Sequence, residues 1–151
     1  MPPSLSIIVP YWNCRHLAEA NLPSVLAAAG RLRCPWEVID VDDGSTDGLE
    51  AFLKASFPQV RIVTRSRNEG FHAAMASGVA AAKHSLYYFL NSDVRVGPAA
   101  FQNLIGNFED PEVCAVASLD ADKKPFCVPA ATNHWGLLGV RYVAVPIPSR
   151  A

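Results

Sequence analysis

Residues 38–48, Val38-Ile39-Asp40-Val41-Asp42-Asp43-Gly44-Ser45-Thr46-Asp47-Gly48, constrain the fold more than any other stretch. The β-branched run favours a buried strand. It ends in adjacent carboxylates, Asp42 and Asp43. A glycine follows that turns the chain at little steric cost, then a serine suited to cap the next helix. A strand that delivers carboxylates to a turn opening a helix is one unit of an open α/β sheet, and such sheets bind ligands at the carboxyl ends of their strands.

The same unit recurs along the chain. Leu5 to Val9 reads as a strand stopped by Pro10, with Tyr11, Trp12 and Asn13 at its carboxyl end. Arg15 to Ala29 has a helical pattern, which Pro23 should kink or restart and Gly30 should end. Trp36 to Val41 is the second strand, followed by a helix from Thr46 to Ser56. Val60 to Thr64 is the third strand, Arg65 to Asn68 a polar loop, and Gly70 to His84 an alanine-rich helix thin enough to lie close to a sheet or a ligand. Leu86 to Leu90 reads as a buried fourth strand ending in Asn91-Ser92-Asp93. A helix from Pro98 to Phe108 and a strand from Val113 to Ala117 complete the alternation.

Five alternations imply an α/β fold with a mainly parallel sheet and helices on both faces. The core should be carried by Ile7, Val9, Val38, Ile39, Val41, Ile62, Tyr88, Phe89 and Leu90. Residues 1–118 form one ligand-binding core on this reading. Residues 119–151, rich in Pro, Ala and Gly, offer one strand, Val140 to Val145.

Composition narrows the functional classes. At 151 residues the chain supports one core, and 50% hydrophobic with 18% charged residues argues against disorder. The net charge of −1 gives no general attraction for nucleic acid or an anionic membrane, so a phosphate-bearing ligand must be held by local groups. Cys14, Cys34, Cys114 and Cys127 have no metal-ligand spacing and read as free thiols in a reducing cytoplasm. His16, His72, His84 and His134 form no spaced set either. The N-terminus has no basic region before its first apolar residues, unlike a signal peptide. The tract Trp135 to Pro148 is broken by Arg141 and falls short of the roughly 20 residues that span a bilayer. No GxGxxG follows the first strand, which disfavours an NAD-dependent enzyme.

In a parallel sheet three strand ends, Trp12-Asn13, Asp42-Asp43 and Asp93, reach one edge. Carboxylates gathered there suit Mg²⁺ or Mn²⁺, which prefer oxygen ligands and bridge carboxylates to phosphates. Such a cation offsets the charge that develops on a leaving diphosphate. Taken singly, the same residues also suit plainer roles: Asp42 and Asp43 as partners of a helix dipole, Trp12 as a rim aromatic, Gly70 as a helix start.

Four segments in register resemble glycosyltransferase family 2: Ser6-Ile7-Ile8-Val9-Pro10-Tyr11-Trp12-Asn13, Val41-Asp42-Asp43-Gly44-Ser45-Thr46-Asp47, Asn68-Glu69-Gly70-Phe71 with Gly78, and Phe89-Leu90-Asn91-Ser92-Asp93. The resemblance covers about residues 5 to 118. It implies the nucleotide-sugar-binding half of a Rossmann-like GT-A fold, incomplete at the C-terminus, with residues 119–151 beginning the acceptor side. It further implies donor contacts from Pro10, Trp12, Asn13, Asp42, Asp43, Asn68, Gly70 and Asn91. Asp43 would hydrogen-bond the donor's base, Trp12 would stack on it, and Gly70 would let the backbone approach the nucleotide.

Asp93 matches the metal-binding end of the DxD motif, with Mg²⁺ or Mn²⁺ as cofactor. Asn91 departs from the usual first aspartate, which is similar to a rhamnosyltransferase-like branch and hints at a deoxysugar donor. The implied activity is inverting transfer from a nucleotide diphosphate sugar to a saccharide or lipid-linked acceptor in the cytoplasm. The inner membrane face, peripheral membrane association and a partner chain or oligomer all fit it. Asp120 and Asp122 come too early for the family's catalytic base. The alternative is therefore a truncated, non-catalytic nucleotide-sugar-binding module.

Overall fold

The computed structural model describes residues 3–119 and 141–146. The chain divides into two compact units, Met1–Val96 and Gly97–Ala151. In the first, strands β1 (Leu5–Tyr11), β2 (Trp36–Asp42), β3 (Arg61–Thr64) and β4 (Leu86–Phe89) alternate with helices α1 (Arg15–Ala29), α2 (Leu49–Ser56) and α3 (Phe71–Ala81). The strands form one parallel sheet in the order β3-β2-β1-β4. The chain steps outward from β1 to β3 and then returns to the other side of β1. The topological switch point therefore lies between β1 and β4, where open α/β sheets form their ligand crevice.

The pleat divides the core. Ile8, Ile39 and Val41 pack under Ala74 and Met75 of α3. A Cβ on Gly78 would stand 2.3 Å from Ile8 Cγ2, so the small residue is what brings α3 this close to the sheet. Ile7, Val9 and Val38 alternate onto the other face. Right-handed crossovers send α1 and α2 there, where Leu22, Val25, Leu49 and Leu53 are fully buried.

Several expectations are corrected. β1 runs through Pro10 to Tyr11. Tyr11 O accepts from Asp43 N on the β2 side and Ile8 O from Leu90 N on the β4 side. Pro10, in phase with Ile8, therefore turns its missing N–H toward β4, which has already ended at Phe89, and no ladder bond is lost. α1 continues as one helix through Pro23. α2 starts at Leu49 rather than Thr46, because Gly48 takes φ +78° and Asp47 Oδ1 accepts from Leu49 N. Ser45 does not cap it: its hydroxyl accepts from Asn13 N at 2.9 Å.

β3 and β4 are the sheet's edges, so Ile62 and Tyr88 are half-buried and Phe89 is 55% exposed, while the other expected core residues are buried. Strand β5 (Val113–Leu119) does not extend the main sheet; it pairs in parallel with β6 (Arg141–Pro146), the strand expected near Val140 to Val145. Helix α4 (Ala100–Ile105), with a 3-10 turn at Gly106–Glu109, precedes them. Cys14, Cys34 and Cys114 are free thiols. Cys127, Asp120, Asp122 and His134 lie outside the described residues.

Candidate functional site

At the switch point a cleft of about 440 Å³ opens between the ends of β1 and β4. Its walls are Pro10, Tyr11, Trp12, Leu17, Asp43, Asn68, Gly70, Phe71, Ala74, Asn91, Ser92 and Asp93. Seven of the nine expected site residues thus share one cavity, with Asp43 and Asp93 opening onto the same space. Trp12 and Phe71 are about half exposed and give it aromatic surface.

Asn13 and Asp42 do not line this cleft, because the turn itself uses them. Asn13 takes φ +49°, which asparagine tolerates, and its Oδ1 accepts from Thr46 N at 2.8 Å. Asp42 Oδ1 accepts from Ser45 N at 2.8 Å. Asp47 Oδ2 accepts from Arg15 N at 2.8 Å, so these residues stitch the loops after β1 and β2 together.

Asp43 is 3% exposed and meets three donors of its own chain. Arg65 Nε reaches Oδ1 at 2.7 Å, Gly70 N reaches Oδ2 at 2.9 Å, and Glu69 N lies 3.2 Å from Oδ2. A carboxylate accepts about four hydrogen bonds, which leaves Asp43 room for one more. Asn68 Oδ1 also accepts from Gly70 N, at 2.8 Å. Gly70 has φ +90°, and a Cβ there would meet nothing within 4 Å, so conformation rather than crowding requires the glycine. Gly44 is needed on both counts: its φ is +74°, and a Cβ would come within 2.6 Å of Arg67 Cα.

Arg65 is the residue that sequence reasoning missed. Besides Asp43 it bonds Ala73 O at 3.0 Å, Ser77 Oγ and Glu69 Oε2, which ties the loop to the first turns of α3. The available signal was its position directly after a strand, at the edge where Asp43 had been placed.

The opposite wall is sparser. Asn91 and Asp93 are exposed. Val94 N donates to Asn91 O at 3.2 Å, and Asn21 Nδ2 donates to Ser92 O at 2.9 Å. Among the described residues no group of three or more His, Cys, Asp or Glu side chains could hold a metal. Asp93 with neighbouring oxygens fits Mg²⁺ or Mn²⁺ only in the half-built manner of sites that share the cation with substrate phosphates.

Within β2, opposite Val9, Asp40 is fully buried, and neither carboxylate oxygen has a hydrogen-bond partner among the described residues. Burial pushes its carboxyl well above the usual carboxylate range. Burial, and after it Asp40, also raises the Tyr11 phenol.

The glycosyl transferase family 2 profile matches residues 6–128. The chain belongs to that family. An undecaprenyl-phosphate 4-deoxy-4-formamido-L-arabinose transferase of Pectobacterium carotovorum is 30% identical over 106 residues, covering 68% of this chain and 32% of the relative. A dodecaprenyl-phosphate galacturonate synthase of Rhizobium johnstonii is 30% identical over 113 residues, covering 72% and 33%. The chain thus spans about a third of the length of these curated relatives. The fold of a Pyrobaculum calidifontis mannosyltransferase, solved with GDP-Man and Mn²⁺, superposes with a TM-score of 0.69 at 22% identity over 80% of this chain and 36% of that one. The sheet described above is accordingly a GT-A-like fold. No helix among the described residues is long and apolar enough to cross a membrane.

Proposed function

We propose that residues 1–118 bind a nucleotide diphosphate sugar and a divalent cation, and that residues 119–151 begin the acceptor side of an inverting glycosyltransferase. The observation that carries this reading is the single cleft shared by Trp12, Asp43, Asn68, Gly70, Asn91 and Asp93. Trp12 offers a face for the base, and the remaining acceptor position of Asp43 suits a base N–H. Asp93 would hold Mg²⁺ or Mn²⁺ against the diphosphate, and the cation would stabilise the leaving group's charge.

The relatives' names point to a polyprenyl phosphate as acceptor, and we place the chain at the inner face of the membrane that would hold such a lipid. Asn91 brings no charge to the ribose side of the site, and the deoxysugar donor of a rhamnosyltransferase-like branch remains the finer reading of that residue. A second reading, a non-catalytic nucleotide-sugar-binding module, is favoured by one observation: among the described residues Asp43 and Asp93 are the only carboxylates lining the cleft, and both already have roles. Inversion needs a base to deprotonate the acceptor.

A thermal-shift screen of nucleoside diphosphates and their sugars, with and without Mn²⁺, tests the site. Binding raises the melting temperature by mass action, so one nucleotide should give a metal-dependent shift. No shift with any of them would defeat the donor reading. Metal-dependent binding without donor hydrolysis or transfer would select the module over the enzyme.

A further inference from the structure

We propose that Asn21 of α1 is a positioning residue for Asp93. Its side-chain amide fixes the peptide that leads into Asp93 and so sets where that carboxylate meets a divalent cation. The inference rests on the donor reading of the cleft.

β4 ends at Phe89, and Leu90 N, donating to Ile8 O at 3.0 Å, makes the last bond from this stretch to the sheet among the described residues. Residues 91–96 run on without a ladder, and four hydrogen bonds hold them there. One is local, Val94 N to Asn91 O at 3.2 Å. The other three go to α1 and its N-cap. Asn21 Nδ2 donates to Ser92 O at 2.9 Å, Val96 N donates to Ser24 Oγ at 3.0 Å, and Cys14 Sγ donates weakly to Ser92 Oγ across 3.9 Å.

The sequence of α1 suits this task. Cys14, Leu17, Asn21 and Ser24 are spaced by three, four and three residues, which puts them on one stripe of the helix. Leu17 lines the cleft. The neighbouring stripe, Ala18, Leu22 and Val25, is fully buried. One row of α1 therefore packs into the core while the next holds residues 91–96. Ser24 also donates its hydroxyl to Asn21 O at 2.7 Å, so it meets Val96 N as an acceptor. An asparagine inside a helix gives up propensity that alanine or leucine would supply. Here its amide is in use.

Of these contacts the Asn21 bond bears most directly on Asp93. Ser92 O belongs to the planar peptide group that continues into Asp93 N and Cα. Fixing that carbonyl fixes the direction in which the Asp93 side chain leaves the backbone. Asp93 is exposed and has no hydrogen bond or ion pair of its own among the described residues, so its neighbours supply the orientation. Asn21 is half-buried and does not line the cleft, so it acts through Asp93 and not by touching the nucleotide. Losing a hydrogen bond that orients a metal ligand costs roughly ten- to a hundredfold in metal affinity.

The test is calorimetric titration of the full chain with ADP, CDP, GDP, UDP and dTDP in turn, each with and without Mn²⁺. It compares the wild type with Asn21→Ala and Asn21→Leu. Both replacements favour a helix more than asparagine does, and leucine nearly keeps the volume, so α1 should be retained. Mn²⁺ should raise the wild-type affinity for one nucleotide. In each Asn21 variant that gain should be roughly tenfold smaller, with the metal-free affinity unchanged. In an Asp93→Ala background, adding Asn21→Ala should change nothing further. A gain that survives in both variants overturns the inference and leaves the donor reading standing. So does an equal loss with and without Mn²⁺, which is what a packing role would give, or a further loss in the Asp93→Ala background. A wild type whose affinity for every nucleotide ignores Mn²⁺ defeats the metal site itself, and the inference falls with it.

Discussion

The two walls of the cleft are built on opposite plans. On the side of β2 and β3, Asp43, Arg65, Asn68 and Gly70 bond one another, and Gly44 packs its backbone against Arg67. On the side of β4, Asn91 and Asp93 face water, with one turn bond, one bond from Asn21 and a long one from Cys14 Sγ to Ser92 Oγ holding residues 91–94. A wall whose polar groups already have partners keeps its shape before the ligand arrives and loses little conformational entropy on binding. A wall with exposed oxygens leaves them available to a cation. The first carries shape and the second carries charge, which gives substitutions on the two sides different signatures.

The largest effect should come from Arg65→Ala. It strands a nearly buried carboxylate, and breaking such a pair from one side costs about 3 kcal/mol. Chemical denaturation should register the loss, and nucleotide binding should weaken because the Asn68–Gly70 loop loses its anchor. A loss below about 1 kcal/mol would mean that the backbone amides hold Asp43 without help. Gly44→Ala comes next, at about 2 kcal/mol, since alanine at positive φ costs 1–2 kcal/mol and its Cβ must displace Arg67. Faster hydrogen exchange at Glu69 and Gly70 amides would locate the damage in the wall that Asp43 anchors. Unchanged exchange would uncouple the two loops.

Asp40 sharpens the contrast from inside β2, the strand that leads to Asp43. Three residues before the well-satisfied Asp43, it is a buried carboxyl without a partner. Its folded-state value lies above the ordinary 3.8, so the folded protein holds a proton that the unfolded chain has released. The contribution is fully present below that ordinary value and is lost as pH rises toward the raised one. Asp40→Val should therefore stabilise the protein by about 1 kcal/mol at neutral pH, as expected for removing an unsatisfied buried polar group. Its advantage should grow with pH across that window. Parallel pH–stability curves for variant and wild type would show that Asp40 does not titrate there.

How much of this was legible beforehand follows from what each feature depends on. A parallel sheet sends every strand's carboxyl end to one edge, so Trp12, Asp43 and Asp93 could be grouped from strand endings alone, while Gly70 came only from the family resemblance. Arg65 could not be, because its meeting with Asp43 depends on β3 lying beside β2, and strand order has no local mark in the sequence. The exposure of Phe89 was hidden for the same reason: an apolar run reads as buried until its strand proves to be an edge. Asn13 and Asp42 carried the right residue types for a ligand, yet side chains that accept from nearby amides serve turns equally well. Only geometry separates the two uses. β5 kept the alternating rhythm while pairing outside the main sheet, which shows that periodicity fixes an element's kind and not its partner.

The smallest effect on stability belongs to Asp93→Ala. An exposed side chain away from the core should change the unfolding free energy by less than about 0.5 kcal/mol. Its effect on ligand binding should be specific: affinity for a nucleoside diphosphate in Mn²⁺ should fall to the metal-free level, while the metal-free affinity itself is unchanged. Asp43→Ala reverses the pattern, weakening binding with or without metal and lowering stability as well. Calorimetric titration of both variants, each with and without Mn²⁺, separates the walls in four measurements. If Asp93→Ala weakened metal-free binding as strongly as Asp43→Ala does, both walls would be supplying shape, and the cation would have to be held by oxygens other than the Asp93 carboxylate.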